Sequence, residues 1–293
     1  MKILILGANG LLGHNLFLKL NQLKSNNIIG ICGKSVLGST FYLKYRNSIR
    51  VLDLSKKQLL KKLIIDIKPD FVINCVVKKN SPENEKNYHD FIFLNSILPH
   101  LIADLAVNYS FKFIHISSDC VLGNNFHFAT ELNPYKATDL YSATKLISEV
   151  SNSKNVMTLR TSIFGHTLDG NGGFLDWSIK NQNINGFDNC FYTGTTAFEL
   201  SNIIHRILKS PVFYHGTFHI SSRKISKYMI LKKINKIYNL NNNIKRDSKI
   251  KINRELNSVK FNKIFNYKSP SWNELILATK NFYLKNKDIY ARN

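Results

Sequence analysis

The chain opens with KILIL, a short apolar run, and passes directly into GANGLLG before residues of helical spacing begin. A strand that turns on glycine and feeds a helix is the first unit of a parallel α/β sheet. Gly7 allows the tight turn. Gly10 lets the backbone approach a pyrophosphate, and Gly13 lets the helix pack close to the strand. The helix N-terminus then offers unpaired N–H groups to the anion. In this strand–turn–helix context the spacing marks a dinucleotide loop formed by Gly7, Asn9, Gly10, Leu11, Leu12 and Gly13.

The same texture continues for half the chain. HNLFLKLNQLK reads as a helix, NNIIGIC as a second strand and VLDL, at 51–54, as a third. SKKQLLKKLIIDIKPD is an amphipathic helix that Pro69 ends. FVINCVV at 71–77 is a strand, and FIFLNSILPHLIADLAVNYS a long helix bent at Pro99. FKFIHISS at 111–118 is a strand, TDLYSATKLISEVSNS a helix, and VMTLRTSIFG at 156–165 a strand. Strands alternating with helices predict an α/β fold of Rossmann type, a doubly wound parallel sheet with a smaller C-terminal lobe. Residues 1–165 form the NAD(P)-binding Rossmann domain on this reading. Residues 166–293 form mainly a substrate-binding lobe, with some segments returning to the Rossmann sheet. The lysine- and asparagine-rich stretch near residue 240 reads as a loop.

Composition narrows the classes. The 293 residues are 44% hydrophobic, enough for a sizeable core. The formal charge of +22 comes from scattered lysines rather than one basic block, which speaks against nucleic acid as partner. No apolar run reaches the length of a membrane span, and the N-terminal run breaks at Gly7, too early for a signal peptide. A cytoplasmic protein with no membrane partner is expected. Cys32, Cys75, Cys120 and Cys190 form no CxxC pair, so neither a metal site nor a disulfide framework is expected.

The end of the second strand chooses the dinucleotide. No acid occurs between residues 24 and 52 to bind a ribose 2′-hydroxyl, whereas Lys34, Lys44 and Arg46 are available. This favours NADP(H) over NAD(H). Asp53, followed by Leu54, stands where an acid meets the adenine amino group or caps a helix.

Strand FIHISS ends in Ser117 and Ser118, and the next helix carries Tyr141 and Lys145, four residues apart on one face. A serine after this strand plus Tyr-x-x-x-Lys on the following helix resembles the extended short-chain dehydrogenase/reductase superfamily. GANGLLG, NSILPHLIADLA, ISSDCVLG, YSATK and LRTSIFG are similar to its cofactor loop, Asn-bearing helix, serine strand, active-site pair and following strand. SSDCVLG, FYTGTTAFELSNII and GTFHISSRKISKY resemble the dTDP-4-dehydrorhamnose reductase branch.

The resemblance implies Tyr141 as general acid towards a carbonyl oxygen. Lys145 and the charged nicotinamide would lower the phenol's pKa, ordinarily about 10, and Lys145 would hold the nicotinamide ribose. Ser118 would hydrogen-bond the reacting oxygen. Asn95 would orient the cofactor side of the site. The implied activity is NADP(H)-dependent reduction of a nucleotide-activated 4-keto-6-deoxysugar in surface polysaccharide biosynthesis. The alternatives are an NAD-dependent nucleotide-sugar epimerase and a non-catalytic cofactor-binding regulatory protein. The partner is a nucleotide-sugar substrate, and a homodimer is left open.

Cys120 replaces the usual tyrosine of the branch and leaves room for a different sugar substituent. Asp119, Cys120, Thr161 and Gly194 are the candidate substrate contacts. Asn124, Asn125, Arg160, Trp177 and Phe191–Thr195 are further candidates. Ser118 followed by Asp119 is not the acid pair of a dehydratase.

Overall fold

A computed structural model describes residues 1–23, 27–78, 85–150 and 152–290. The first strands are β1 (Lys2–Leu6), β2 (Asn27–Cys32), β3 (Ile49–Val51), β4 (Phe71–Asn74), β5 (Lys112–Ile116), β6 (Asn125–Ala129) and β7 (Val156–Arg160). All but β6 join the later strand Gly216–His219 in one sheet, ordered Gly216–His219, β7, β5, β4, β1, β2, β3. Every pairing in it is parallel. The strand order reverses between β1 and β4, which opens a crevice at their carboxyl ends.

Strand alternation builds two cores. Ile3, Ile5, Ile73 and Ile114 face α1 (Leu11–Asn21) and the helix Ala197–Leu208, through Leu16, Phe17, Leu200 and Ile204. Leu4, Leu6, Val72 and Phe113 face Leu63 and Ile102 on the opposite side. The helices there are α3 (Lys57–Ile67) and α5 (Leu98–Asn108); α2 (Thr40–Tyr45) lies before α3, and α4 (Glu85–Ile92) before α5.

Several local expectations shift. The third strand is Ile49–Val51, because the Asp53 carboxylate accepts from the Ser55 N–H and hydroxyl and turns the chain away from the sheet. The long helix is distorted ahead of Pro99: residues Phe93–Ile97 form a wide π turn, and Pro99 is the second residue of α5. Contrary to the reading of the apolar runs, the helical stretch Tyr88–Asn108 has the length and composition of a membrane span. Its residues Leu98, Ile102, Ala103 and Ala106 are buried in the protein core.

The strand expected over 156–165 breaks after Arg160, and Ile163–Phe164 pairs instead with Thr195–Thr196. The Tyr–Lys helix is α6 (Leu140–Ile147), shorter than expected; Ser151 lies outside the described residues.

The stretch read as a loop near 240 contains two strands, Asn243–Asp247 and Ile252–Leu256. The first pairs with Asn183–Phe187, and the second lies between Cys190–Tyr192 and β6. Buried Asn253 fits a strand because its side-chain amide donates to the Phe126 carbonyl at 2.9 Å. Partner strands from elsewhere in the chain pair with these segments, and local composition cannot show that.

Candidate active site

The glycine loop is shaped by close approach. Gly7 has φ +75°, and a Cβ there would stand 3.0 Å from the Val76 nitrogen. A Cβ on Gly13 would fall 2.0 Å from the Gly7 carbonyl oxygen. Gly10 is the extended N-cap of α1, so Leu11, Leu12 and Gly13 present first-turn N–H groups beside Asn9 at the loop tip. These features make a cradle for a pyrophosphate, and the residues present fit a dinucleotide. A Cβ on Gly165 would lie 3.3 Å from the Leu11 side chain, so the segment after Phe164 borders the same crevice.

Lys34 lies two residues past the end of β2 and is exposed. Lys44 is not free, since its ammonium is paired with Asp288 at 2.6 Å. Asp53 is exposed, and its carboxyl is held below the usual range by hydrogen bonds from Ser55. It therefore serves its own turn, while Leu54 is buried behind it. Asn95, buried in the π turn, accepts from the Lys78 N–H at 2.9 Å and donates to the Lys78 carbonyl at 2.8 Å. It ties the segment after β4 to the helix that packs on α6.

The catalytic candidates converge at the carboxyl end of β5. Asp139 caps α6 by accepting from the Ser142 N–H at 2.7 Å, and this sets the helix entry. Lys145 is buried, and its ammonium donates to the Ile116 carbonyl at 2.7 Å. Burial lowers its pKa to about 8, with Cys120 and Glu149 opposing. Tyr141 faces Cys120, Asp119 and the Ser118 hydroxyl. Its phenol is pushed above its ordinary value, first by burial and then by Cys120 and Asp119, while Ser118 pulls it down. Of the two cations expected to lower it, Lys145 does not outweigh that burial. The Lys145 ammonium is engaged with Ile116, and the desolvation of Tyr141 prevails.

Ser118 caps the short turn Asp119–Leu122, accepting from the Cys120 N–H at 3.3 Å and donating to Asp119 Oδ1 at 3.2 Å. Asp119 is buried. Burial raises its pKa, against Arg254, whose Nη1 stands 3.7 Å away, and Lys227. Cys120 is buried, its thiol raised to about 11 chiefly by burial. The Thr161 carbonyl accepts from the Asp119 N–H at 3.2 Å, which joins it to the serine turn through the backbone. Gly194 is buried; a Cβ there would lie 2.0 Å from the Ser162 carbonyl oxygen and 2.3 Å from the Tyr192 ring, so it is a packing glycine.

Arg160 is not an open substrate contact. It is 1% exposed and paired with Glu149 at 2.7 Å. Trp177 is exposed, and Asn124 accepts from Arg254.

Two cations beside the site were not singled out by the sequence reading. Lys227 opens the helix Lys227–Tyr238, and its ammonium lies 4.4 Å from the centre of the Tyr192 ring and 4.7 Å from that of Phe174. Burial lowers its pKa, and Asp119 opposes. Arg254 lies on Ile252–Leu256, and its buried Nε has no hydrogen-bond acceptor. Both lie in lysine- and arginine-rich segments, where nothing local separates them from solvated neighbours.

A glycine loop, a serine strand and a Tyr–Lys helix at one end of a doubly wound sheet define an oxidoreductase of the short-chain dehydrogenase/reductase type. The chain belongs to the RmlD substrate binding domain family, whose model matches residues 1–279. Its fold is similar to that of dTDP-4-dehydrorhamnose reductase from Bacillus anthracis in complex with NADP, with TM-score 0.77 and 20% identity over 97% of this chain and 99% of that one. The dTDP-4-dehydrorhamnose reductase from Clostridium acetobutylicum aligns with TM-score 0.77 and 20% identity, over 97% of this chain and all (100%) of that one. The dTDP-glucose 4,6-dehydratase from Bacillus anthracis in complex with NAD aligns with TM-score 0.80 and 15% identity, over 99% and 98%. No curated protein matches by sequence.

Proposed function

We propose that this protein is an NADP(H)-dependent reductase of a nucleotide-activated 4-keto-6-deoxysugar, acting in surface polysaccharide biosynthesis. The observation that carries this reading is the convergence of Ser118 and Tyr141 with Lys145 at the carboxyl end of β5. Bound reduced nicotinamide supplies a hydride. Gly7, Gly10 and the first turn of α1 would hold the pyrophosphate, and Lys34 would meet a ribose 2′-phosphate.

Ser118 hydrogen-bonds the ketone oxygen, and Tyr141 transfers its phenolic proton to that oxygen as the alcohol forms. Lys145 holds the ribose and, turned from Ile116 towards the phenol, supplies the cation that eases proton release. Arg254 and Lys227 are the donors available for the substrate diphosphate. The Arg254 Nε lacks a partner, and the Lys227 ammonium is held on two ring faces. Cys120 is a buried thiol, and Ser118 followed by Asp119 is not the acid pair of a dehydratase. That favours reduction over elimination of water.

The test follows NADPH and NADH absorbance with purified protein across dTDP- and UDP-4-keto-6-deoxysugars, with Tyr141→Phe alongside. NADPH consumption with one sugar, lost in the variant, is expected. No consumption with any ketone, with NAD copurifying, would replace this reading with the epimerase.

A further inference from the structure

Beneath the catalytic helix lies a buried polar cluster that the proposed chemistry does not use. Glu149 follows the end of α6 by two residues, with its side chain 3% exposed. Its Oε1 accepts from the Ser117 hydroxyl at 2.5 Å and from Arg160 Nε at 2.8 Å. Its Oε2 accepts from Arg160 Nη2 at 2.7 Å and from the Tyr135 hydroxyl at 3.2 Å. Arg160 also donates to the Tyr135 hydroxyl at 2.8 Å, and its Nη1 stands 3.2 Å from His219 Nε2.

One carboxylate thus gathers three elements: the end of α6, the end of β5 through Ser117, and β7 through Arg160. Ser117 immediately precedes Ser118, and Lys145 lies one helical turn before Glu149. Packing alone would be served by apolar side chains of similar volume, because burying an ion pair carries a desolvation cost. What the carboxylate adds is direction and charge. We infer that Glu149 is a positioning residue for the catalytic trio, holding Ser118 in place through Ser117 and Lys145 through the end of α6.

The surrounding charges agree with that role. Lys145 faces Cys120 from the serine turn, His115 from β5 and Glu149 from its own segment. Burial keeps the His115 imidazole well below its usual range and the Cys120 thiol up at about 11, so both are neutral near pH 7. Glu149 opposes the loss of the Lys145 proton.

The inference rests on the reductase reading for its turnover assay only. Three variants test it: Ser117→Ala, which removes one hydrogen bond; Glu149→Asp, which keeps the charge but withdraws the carboxylate; and Glu149→Gln, which keeps the shape and removes the charge. Ser117→Ala and Glu149→Asp are expected to lower kcat about three- to tenfold with the KM for the sugar unchanged, because small misplacement acts on the transition state. In Glu149→Gln, the Lys145 resonance of 13C-lysine-labelled protein, assigned with Lys145→Met, is expected to titrate at lower pH than in the unaltered chain. Full kcat in Ser117→Ala and Glu149→Asp, or an unmoved Lys145 titration in folded Glu149→Gln, would overturn the inference. If the unaltered protein reduces no ketone, the reductase reading falls and the Lys145 titration decides this one alone. If Glu149→Gln does not fold, the two conservative variants decide it.

Discussion

The Lys145 ammonium donates to the Ile116 carbonyl at 2.7 Å, so the cation of the catalytic helix is anchored on the last residue of β5. That anchor sits in a buried setting, and the folded chain holds the proton less tightly than the unfolded chain does. With the pKa lowered from 10.5 to about 8, the unfolded chain binds more protons between those values. Stability from this group is therefore least below about pH 8 and rises towards 10.5. Lys145→Met is expected to stabilise the ligand-free protein at pH 7 by on the order of 1–3 kcal/mol, the lower end reflecting the Ile116 carbonyl left without a donor. The advantage should shrink at pH 10. Paired thermal melts at the two pH values check it; a variant less stable at pH 7 contradicts the assigned cost.

Turnover should report the same lysine. The Tyr141 phenol, raised by burial, stays protonated well past neutrality, so its own ionisation does not limit the reaction on the alkaline side. In kcat/KM against pH, the alkaline limb is expected near the Lys145 value of about 8. A limb near pH 10 would assign it elsewhere. Tyr141→Phe should lower kcat roughly 10²- to 10⁴-fold while dinucleotide binding persists.

Arg254 and Asp119 form a pair in which only the cation has donors to spare. Arg254→Met is expected to weaken binding of dTDP or UDP about 10- to 100-fold, the loss of a charge-assisted contact, with dinucleotide affinity unchanged. Calorimetry on both ligands separates the two. Equal weakening of the dinucleotide would show general damage instead.

Two glycines in the cofactor half should respond in opposite ways. A Cβ at position 13 would collide with the Gly7 carbonyl oxygen at 2.0 Å, whereas at Gly33 nothing lies within 4 Å. Gly13→Ala should abolish dinucleotide binding and cost more than about 2 kcal/mol of stability. Gly33→Ala should change stability by less than about 1 kcal/mol. Fluorescence titration and denaturant melts check both, and retained binding in Gly13→Ala would contradict the close-packed loop.

Where sequence reading succeeded and failed follows from the range of the interactions. Gly7, Gly10 and Gly13 are legible because a turn and a helix start are settled within a few residues. Ser118, Tyr141 and Lys145 are legible because their spacing along adjacent elements survives in one dimension. Lys44 was read as free because nothing near it reveals Asp288, which meets it from 244 residues away. Arg160 stands among the further substrate candidates, yet it is buried against Glu149 because β7 runs beside β5. The polar stretch near 240 looked like loop because its strands pair only with distant partners, Asn183–Phe187, Cys190–Tyr192 and β6.

By itself, the sequence determined the alternation of strands and helices, the glycine turn and the Ser–Tyr–Lys spacing. Periodicity, backbone freedom and helix capping act over a turn or two of chain. Only the tertiary structure decided which charges stand beside the candidate site. Arg254 and Lys227 end beside Asp119, while Arg160 and Lys44 are spent on Glu149 and Asp288. The reason is physical: burial and pairing depend on which surfaces the folded chain brings together, and the composition of a lysine-rich segment carries no record of that.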